Sequence, residues 1–307
     1  MMKKIFIILA AALGCFATTP VTSPTSASSE LSRLEVVERL HEKILSYPAL
    51  KNWQASTLTN LYEMDKNWEP KKKTVVEKLV TVKDNARVEK VLRATEYHGD
   101  KTKDLTAKYR SEAEKLNKKS ESREGKDGGR KGGRYRGLDL NRGELFPFEE
   151  NKRKDYDFEV SEGFLEADRK VIILETRSRQ KSSEYYEGKF YIHPETYDIL
   201  RVELQPAKNP GPLKLLEMHI DFRHLPGGYL VIDTARVRIH VGLIIKNIRM
   251  ESEEIYSDYE IFTNSNSVTG YLSPDFDRFF LEIFNAKIRL MKMAFRSSTD
   301  RHYSAEH

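Results

Sequence analysis

Histidine has the broadest catalytic and metal-binding chemistry of the side chains in this sequence. Eight histidines occur, and they are His41, His98, His193, His219, His224, His240, His302 and His307. No two of them have the spacing of an HExxH zinc motif, and His219 and His240 fall on the polar sides of alternating strand patterns. No G-x-S-x-G nucleophile elbow occurs, and the abundant Asp and Glu residues single out no acid–base pair. The sequence therefore predicts a non-enzymatic protein with no metal site and no cofactor.

The only cysteine, Cys15, lies in an N-terminal segment with the features of a secretory leader. Two lysines precede an apolar stretch, residues 5–13, which is too short to cross a bilayer. We predict that residues 1–27 form a signal peptide that is cleaved after Ala17 or Ala27. The residues before Cys15 also resemble a degenerate lipobox, so lipid attachment to Cys15 is an alternative. The predicted location is the periplasm, with a membrane anchor if Cys15 is lipidated.

The rest of the chain contains no cysteine, so its fold must depend on a hydrophobic core and not on disulfides. Hydrophobic residues make up 39% and charged residues 32% of the sequence, a balance typical of a soluble domain with a charged surface. The net charge of +5 is concentrated in the glycine-rich basic segment 120–137. Its composition favours a solvated linker over a docking loop for an anionic surface. No nucleic-acid partner is predicted, because only Tyr135 could stack on a base.

Alternation of apolar and polar residues predicts a large antiparallel sheet. The strand patterns cover residues 53–65, 72–83, 87–97, 154–160, 170–177, 185–193, 197–204, 213–222, 229–243 and 248–262. No helical pattern separates the strands of the second series, from residue 154 to 262, which excludes a parallel βαβ arrangement. We therefore predict an α+β, mainly β fold, in which a curved antiparallel sheet of about ten strands forms a half-barrel covered by helices.

The sequence also predicts three helical segments around this sheet. An amphipathic helix is predicted over residues 29–46, and a charged helix with a linker forms an insertion at about residues 100–145. The sheet domain accordingly covers residues 28–262. The remaining segment, residues 263–307, is predicted to be a linker followed by an amphipathic helix rich in phenylalanine. Packing of this helix on the sheet is the preferred interpretation, and a lid, a membrane-surface helix or a partner-docking helix is the alternative.

Two segments resemble a known family. FYIHPETYDILR, residues 190–201, and EIYSDYEIF, residues 254–262, are similar to a hairpin and the last strand of the periplasmic outer-membrane lipoprotein-sorting proteins, the LolA/LolB-like superfamily. The order of elements over residues 30–262 resembles that superfamily too. The resemblance implies a half-open barrel whose helices cover acyl chains of lipids or lipoproteins. His193 stands where the family pattern leads us to expect aspartate, and no residue here matches the lipid-binding arginine of the characterised carrier.

The candidate ligand-binding residues are apolar positions that alternate along two predicted strands. They are Leu216, Met218, Ile220, Phe222, Val231, Val237, Ile239 and Val241. Because side chains two residues apart point the same way, we expect all eight to share the inner face of the sheet. The leading hypothesis is an exported carrier of lipid or lipoprotein acyl chains, in contact with a membrane surface or an envelope protein. The alternative is an envelope structural or interaction protein whose own helices fill the face.

Overall fold

Most of the strands form where apolar and polar side chains alternate, as the sequence predicts. The computed structural model describes residues 33–48, 50, 52–83, 86–124, 147–166, 168–209, 213–242 and 247–262. The strands are β1 (Trp53–Met64), β2 (Pro70–Lys83), β3 (Ala86–His98), β4 (Lys101–Asp104), β5 (Tyr156–Leu165), β6 (Arg169–Ser178), β7 (Tyr186–Ile192), β8 (Ile199–Pro206), β9 (Leu213–His224), β10 (Leu230–Gly242) and β11 (Asn247–Ile261). The helices are α1 (Arg33–Ser46), α2 (Thr106–Glu124) and α3 (Glu150–Arg153).

The eleven strands form one antiparallel sheet in the order β4-β3-β2-β1-β11-β10-β9-β8-β7-β6-β5. Most strands that are paired in the sheet also follow one another in the sequence, so most of the sheet is built from hairpins. The β1–β11 pair is the exception, because it joins the first described strand to the last. Strand β11 therefore lies between β10 and β1. The sheet is not closed, and β4 and β5 are its two edges. The predicted fold class, a mainly β protein with one large antiparallel sheet and few helices, is confirmed.

Helices α1 and α2 contribute to the core through different parts of their surfaces. Helix α1 buries one face, formed by Val36, Val37, Leu40 and Ile44, while Leu34 and Leu45 are exposed. Helix α2 is charged over most of its length and packs against β3. Its Tyr109 and Ala113 belong to a buried cluster with Leu61, Val76, Val91, Ala94 and Leu105. A few apolar residues are therefore enough to fix a mostly polar helix on the sheet.

Helix α2 also covers the edge of β3 that the short strand β4 leaves unpaired. Strand β4 pairs with only four residues of β3, at positions 95–98. Beyond them, side chains of α2 hydrogen-bond to the β3 backbone. These bonds join Thr106 to the Ala94 N–H (3.0 Å), Arg110 to the carbonyls of Val91 and Leu92 (3.0 and 2.7 Å) and Asn117 to the carbonyl of Glu89 (3.0 Å). The helix thus replaces the missing neighbouring strand with side-chain hydrogen bonds.

The structure differs from the predicted elements in two places. Strand β4 precedes the charged helix, which begins only at Thr106, where the Asp104 carboxylate accepts a hydrogen bond from the Thr106 N–H at 2.8 Å. Strand β5 continues to Leu165, although the sequence predicts its end at residue 160. It passes through Gly163, where an added Cβ would lie 2.5 Å from Ile173 Cδ1. A glycine that looks like a turn residue is here a strand residue facing a close neighbour.

Several predicted features lie outside the described residues. They are the signal peptide with Cys15, most of the basic segment 120–137 and the phenylalanine-rich helix of residues 263–307. All described residues belong to one compact unit that begins at Arg33. Among the helices described, none has the length and apolar character needed to cross a bilayer.

Candidate functional site

One face of the sheet, here called the inner face, is buried along a row of side chains that crosses nine strands. Each residue in this row is the register partner of the next. From β6 to β3 the row is Leu174, Phe190, Val202, Ile220, Ala235, Glu254, Thr59, Val76 and Ala94. All nine residues are buried. The row is apolar from β6 to β10 and becomes polar where it crosses β11 and β1.

We call the inner face of β6 to β10 the apolar half. Two further rows widen it: Leu204, Met218 and Val237 form one, and Leu216 pairs with Ile239 in the other. None of these residues is more than 9% exposed. The apolar half is therefore an extended hydrophobic surface that is closed to solvent in this structure. Over the residues that the structure describes, this part of the inner face is therefore covered and is not an open cavity.

Seven of the eight predicted ligand-binding residues share this inner face. They are Leu216, Met218, Ile220, Phe222, Val237, Ile239 and Val241. A register shift between Ile232 and Thr234 reverses the alternation, so that Val231 pairs with Arg223 and lies on the opposite face. Val241 stays in phase with Ile239 on β10, opposite Ile248 of β11, but it is only half-buried. The expectation that all eight share one face is wrong for Val231, and ligand binding by the others stays a prediction.

Four charged side chains, here called the buried ion network, interrupt the inner face on β2, β3 and β11. Lys78 Nζ lies 2.8 Å from Glu254 Oε1 and 3.0 Å from Glu89 Oε2, and the side chains of Lys78 and Glu254 are fully buried. Arg87 donates to Glu89 Oε1 from Nε at 3.0 Å and from Nη2 at 2.8 Å. Two cations balance two carboxylates, so the network places no net charge in the interior.

Two hydroxyl groups complete the surroundings of Glu254. Thr59 Oγ1 donates to one carboxylate oxygen at 3.2 Å, and Tyr256 OH donates to the other at 3.0 Å. Sequence reasoning missed the network, although one signal was present. Lys78 occupies an alternating series, residues 76–82, whose other members on that face are valines. A lysine inside an apolar row of period two indicates a buried cation, because the strand cannot turn one side chain to the opposite face.

The pKa values within the network follow from competition between burial and ion pairing. Burial alone would lower the pKa of Lys78, but Glu254 and Glu89 hold it above its ordinary value. Burial would likewise raise the pKa of Glu89, but Lys78 and Arg87 hold it below its ordinary value. Lys78 and Glu89 therefore stay charged at neutral pH. The arrangement suits a structural ion cluster and not a proton donor or acceptor poised near pH 7.

Asp198, at the turn between β7 and β8, ties helix α1 to the sheet. Its Oδ1 accepts a hydrogen bond from Tyr47 OH at 3.0 Å and lies 3.0 Å from Lys43 Nζ. The same oxygen lies 3.2 Å from Nε2 of His224, at the end of β9. Burial would raise the pKa of Asp198, but hydrogen bonds from Thr196, Lys43 and Tyr47 hold it below its usual range. These polar contacts hold α1 against the sheet, in addition to the burial of its apolar face.

His193 begins this turn at the position where the family resemblance leads us to expect aspartate. Its Nδ1 lies 3.3 Å from the backbone nitrogens of both Glu195 and Thr196. The imidazole therefore accepts the turn hydrogen bonds that an aspartate carboxylate would accept. Tyr197 follows with a positive φ of 59°. The local chemistry of the turn is kept although the residue differs.

The strand histidines, which the sequence places on polar strand faces, make cross-strand contacts. His219 Nδ1 lies 3.6 Å from Glu203 Oε1, and His240 Nε2 lies 3.4 Å from Asn247 Oδ1. Within the described ranges, no group of three His, Cys, Asp or Glu side chains is placed to hold a metal ion. The arrangement that remains for function is the inner face with its apolar half, its ion network and its covering helices.

No protein-family model and no curated protein matches the chain, whereas several solved structures do. A domain assigned to outer-membrane lipoprotein sorting in Vibrio parahaemolyticus is 13% identical, with 81% of this chain and 97% of that one covered at a TM-score of 0.33. A LolA-superfamily protein from Nitrosomonas europaea is 12% identical, with 75% and 94% covered at a TM-score of 0.33. The MucA/MucB complex of Pseudomonas aeruginosa matches at 11% identity, with 76% and 99% covered at 0.21. The neighbours thus include the superfamily that the sequence resembles, but scores this low carry no argument about function.

Proposed function

We propose that the chain is an exported, non-enzymatic protein of the bacterial cell envelope that binds a lipid or the acyl chains of a lipoprotein. The observation that carries this proposal is the apolar half, which is five strands wide on an unclosed sheet and entirely apolar along its central row. Each methylene group of a ligand buried there would contribute about 0.8 kcal/mol. Such a surface holds a ligand by burial and shape and needs no catalytic centre.

A ligand reaches the apolar half only if a covering element moves, because the residues of that surface are buried. We take α1 to be this element. Its buried side chains, such as Val37 and Leu40, are aliphatic, so methylene groups of an acyl chain can take their place. Its contacts with Asp198 are polar and partly exposed, so water can replace them when the helix moves.

The buried ion network sets one boundary of the proposed site. An acyl chain that contacted Lys78 or Glu254 would have to displace charge-assisted hydrogen bonds without replacing them. The ligand is therefore confined to β6–β10, and strands β1–β4, on the other side of β11, serve as scaffold. This division favours a ligand with a narrow apolar part over one that would fill the whole inner face.

A second candidate is an envelope interaction domain with a self-filled inner face and no lipid ligand. The burial of the apolar half favours this candidate, because no residue of its three rows is more than 9% exposed. In that case the inner face is a hydrophobic core, and function lies on other surfaces of the molecule.

Two measurements separate the two candidates: analysis of the lipids that co-purify with the protein, and titration with a fluorescent fatty acid. Mass spectrometry of the protein purified from its native envelope should detect a bound lipid, and dansyl-labelled undecanoic acid should titrate to a single saturable site. Met218→Gln places an amide in the apolar half and should weaken probe binding by about tenfold. Glu217→Gln is the matched control, because Glu217 is the preceding residue and its side chain lies on the opposite face.

Cooperative thermal unfolding of both variants must accompany these titrations, so that a loss of binding is not a loss of fold. Equal probe affinity in wild type and a folded Met218→Gln variant would remove the apolar half from the site. Absence of both a co-purified lipid and a saturable signal would leave the interaction domain as the function that the geometry supports.

A further inference from the structure

One hydroxyl group on the inner face is buried without a hydrogen-bond partner. Tyr186, the first residue of β7, is only 1% exposed. Its OH makes no hydrogen bond with any residue in the part of the chain that the structure describes. Two other tyrosines of the sheet differ, because Tyr256 OH donates to Glu254 at 3.0 Å and Tyr259 OH donates to the Ile232 carbonyl at 2.8 Å. Tyr186 is therefore an exception to the rule that buried polar groups are paired.

Tyr186 lies at one end of the apolar half. Its partner on β8 is Pro206, and Phe190 pairs with Val202 in the same phase of the two strands. Phe190 and Val202 belong to the central buried row, so Tyr186 points to the same side of the sheet. Because β7 begins at Tyr186 and β8 ends at Pro206, this side chain marks a margin of the hydrophobic surface.

The hydroxyl of Tyr186 is a hydrogen-bond donor. Burial raises the pKa of Tyr186 above its ordinary value, so the group stays protonated at neutral pH. A buried O–H that has lost its hydrogen bonds to water destabilises the folded protein until it finds an acceptor. The partner that this position lacks is therefore an oxygen atom that accepts a hydrogen bond.

Two polar side chains of β6 face this part of β7, and both are already hydrogen-bonded. Thr176, which pairs with Gly188, donates to the Gly188 carbonyl at 3.4 Å. Ser178 Oγ donates to the Gln180 carbonyl at 2.9 Å and accepts from the Gln180 N–H at 3.0 Å. A buried water needs about two to four polar partners, and these side chains have little capacity left for one. A ligand that brings its own acceptor satisfies Tyr186 with a single atom.

We propose that Tyr186 donates a hydrogen bond to a carbonyl oxygen of the bound ligand, and that the ligand is accordingly an acyl ester or an acyl amide. This inference rests on the acyl-chain binding proposed for the protein and adds a polar anchor to it. The carbonyl is neutral, because the neighbouring inner-face side chains Ser178 and Pro206 carry no charge that could balance a buried carboxylate. A hydrocarbon without a carbonyl would leave the hydroxyl unsatisfied and bind less tightly.

The anchor also sets the direction of the ligand. With the carbonyl at Tyr186, the acyl chain extends along β7 over Phe190 and Ile192, which are fully buried. The strand covers about 20 Å from Tyr186 to Ile192, which is comparable with the length of a common fatty acyl chain. The group attached to the carbonyl then lies at the margin of the sheet. The contacts of Asp198 with α1 lie beyond the opposite end of β7, so the anchor and the helix contacts are separate.

Two probes of equal chain length, methyl dodecanoate and dodecyl methyl ether, test the proposal because they differ in the carbonyl. Each displaces dansyl-labelled undecanoic acid from the full chain, and wild type should prefer the ester. Tyr186→Phe should reduce the ester-to-ether preference by about three- to tenfold. Tyr191→Phe is the matched control, because Tyr191 lies on the same strand but on the opposite face, where its OH donates to Glu203 at 3.1 Å. It should keep the preference of wild type.

Two further measurements separate a ligand anchor from a structural hydroxyl. Tyr186→Phe should raise the melting temperature of the ligand-free protein by about 2–4 °C, because it removes a buried hydroxyl without a partner. Tyr191→Phe should lower it, because it breaks a hydrogen bond. The infrared band of an isotope-labelled ester carbonyl should shift to lower wavenumber on binding to wild type and should not shift on binding to Tyr186→Phe.

The outcomes distinguish this inference from the proposed function. Failure of every probe to bind would refute acyl-chain binding as a whole. Saturable binding with an equal ester-to-ether preference in wild type and Tyr186→Phe, or with an unshifted carbonyl band, would overturn the anchor alone. A lower melting temperature of Tyr186→Phe would also overturn it, because the hydroxyl would then be satisfied within the protein. A lower Kd for a diacylglycerol would support a glycerolipid as the source of the carbonyl, and a lower Kd for an N-acylated peptide would support a lipoprotein.

Discussion

Replacing Lys78 by methionine should destabilise the protein strongly although it removes no apolar contact. The side chains of Lys78 and Glu254 are both fully buried, and Nζ lies within 3.0 Å of two carboxylates. Methionine has a similar length but leaves Glu254 and Glu89 with less positive charge around them. Breaking a buried ion pair by removing one partner costs about 3–5 kcal/mol. For a domain of this size that corresponds to a fall in melting temperature of about 6–20 °C.

Urea unfolding at neutral pH measures this cost, and two further variants interpret it. Lys73→Met is the matched control, because Lys73 lies on the same strand but contacts the Tyr62 ring at 5.5 Å on the outer face. It should cost less than about 1 kcal/mol. The double replacement Lys78→Met/Glu254→Leu removes both opposite charges and should recover most of the loss, because buried ion pairs are often replaceable by apolar residues.

The effect of Lys78→Met should also depend on pH. The folded pKa of Glu89 is below its ordinary value, so its contribution is present above about pH 4.3 and is lost as the pH falls through the folded pKa. Removing Lys78 raises that pKa, and protonation then relieves the unbalanced charge. The gap in unfolding free energy between variant and wild type should therefore narrow from pH 7 to pH 4. A cost below about 1 kcal/mol at pH 7, with no pH dependence, would refute the reasoning.

Three other substitutions test the helix contacts and the sheet geometry. Asp198→Asn should lower the unfolding free energy by about 1 kcal/mol at pH 7, and the loss should vanish as acid protonates the wild-type carboxyl, whose folded pKa is low. Gly188→Ala should cost about 3 kcal/mol in thermal unfolding, because the added Cβ would clash with the backbone carbonyl oxygen of Glu203. Gly228→Ala, with nothing within 4 Å of the added Cβ, should cost about 1 kcal/mol. Asn117→Ala should speed hydrogen exchange of the Glu89 amide, because that N–H donates to the Asn117 side chain. Unchanged exchange would show that α2 does not protect the edge of β3.

The positions of most strands could be predicted because alternation is a local property. Strand β2 shows this, since its buried and exposed residues follow the period-two pattern that the sequence displays. Strand β11 departs from regular pairing with β1 only at a register shift between Ser257 and Glu260. Helix α1 is predictable for the same reason, because one apolar stripe is enough to define an amphipathic helix.

The parts that could not be predicted depend on residues distant in the chain. The valine row around Lys78 indicates a buried cation, but no local pattern reveals that its partner is Glu254 of β11. The sequence places Val231 on the inner face because the bulge near Asp233 leaves no composition signal. The sequence also predicts helix where β4 lies, since four charged or polar residues carry no alternation. Local rules thus describe elements well, whereas register and burial of charge require the assembled sheet.

Among the strands that the structure describes, the β1–β11 pairing is the only one that joins the two arms of the sheet. One arm contains β1 to β4 and the other β5 to β11, and the paired residues Trp53 and Ile261 lie about 200 residues apart. Closing so long a loop is slow, and until it closes both β1 and β11 expose an edge that fits the other. Helix α2 belongs to the β1 arm, and the chain from its end at Glu124 to the start of β5 at Tyr156 is about 30 residues long, enough when extended to reach a neighbouring molecule. At high concentration during refolding, the β1 arm of one molecule can therefore join the β11 arm of another, which yields a strand-swapped dimer with every native hydrogen bond in place.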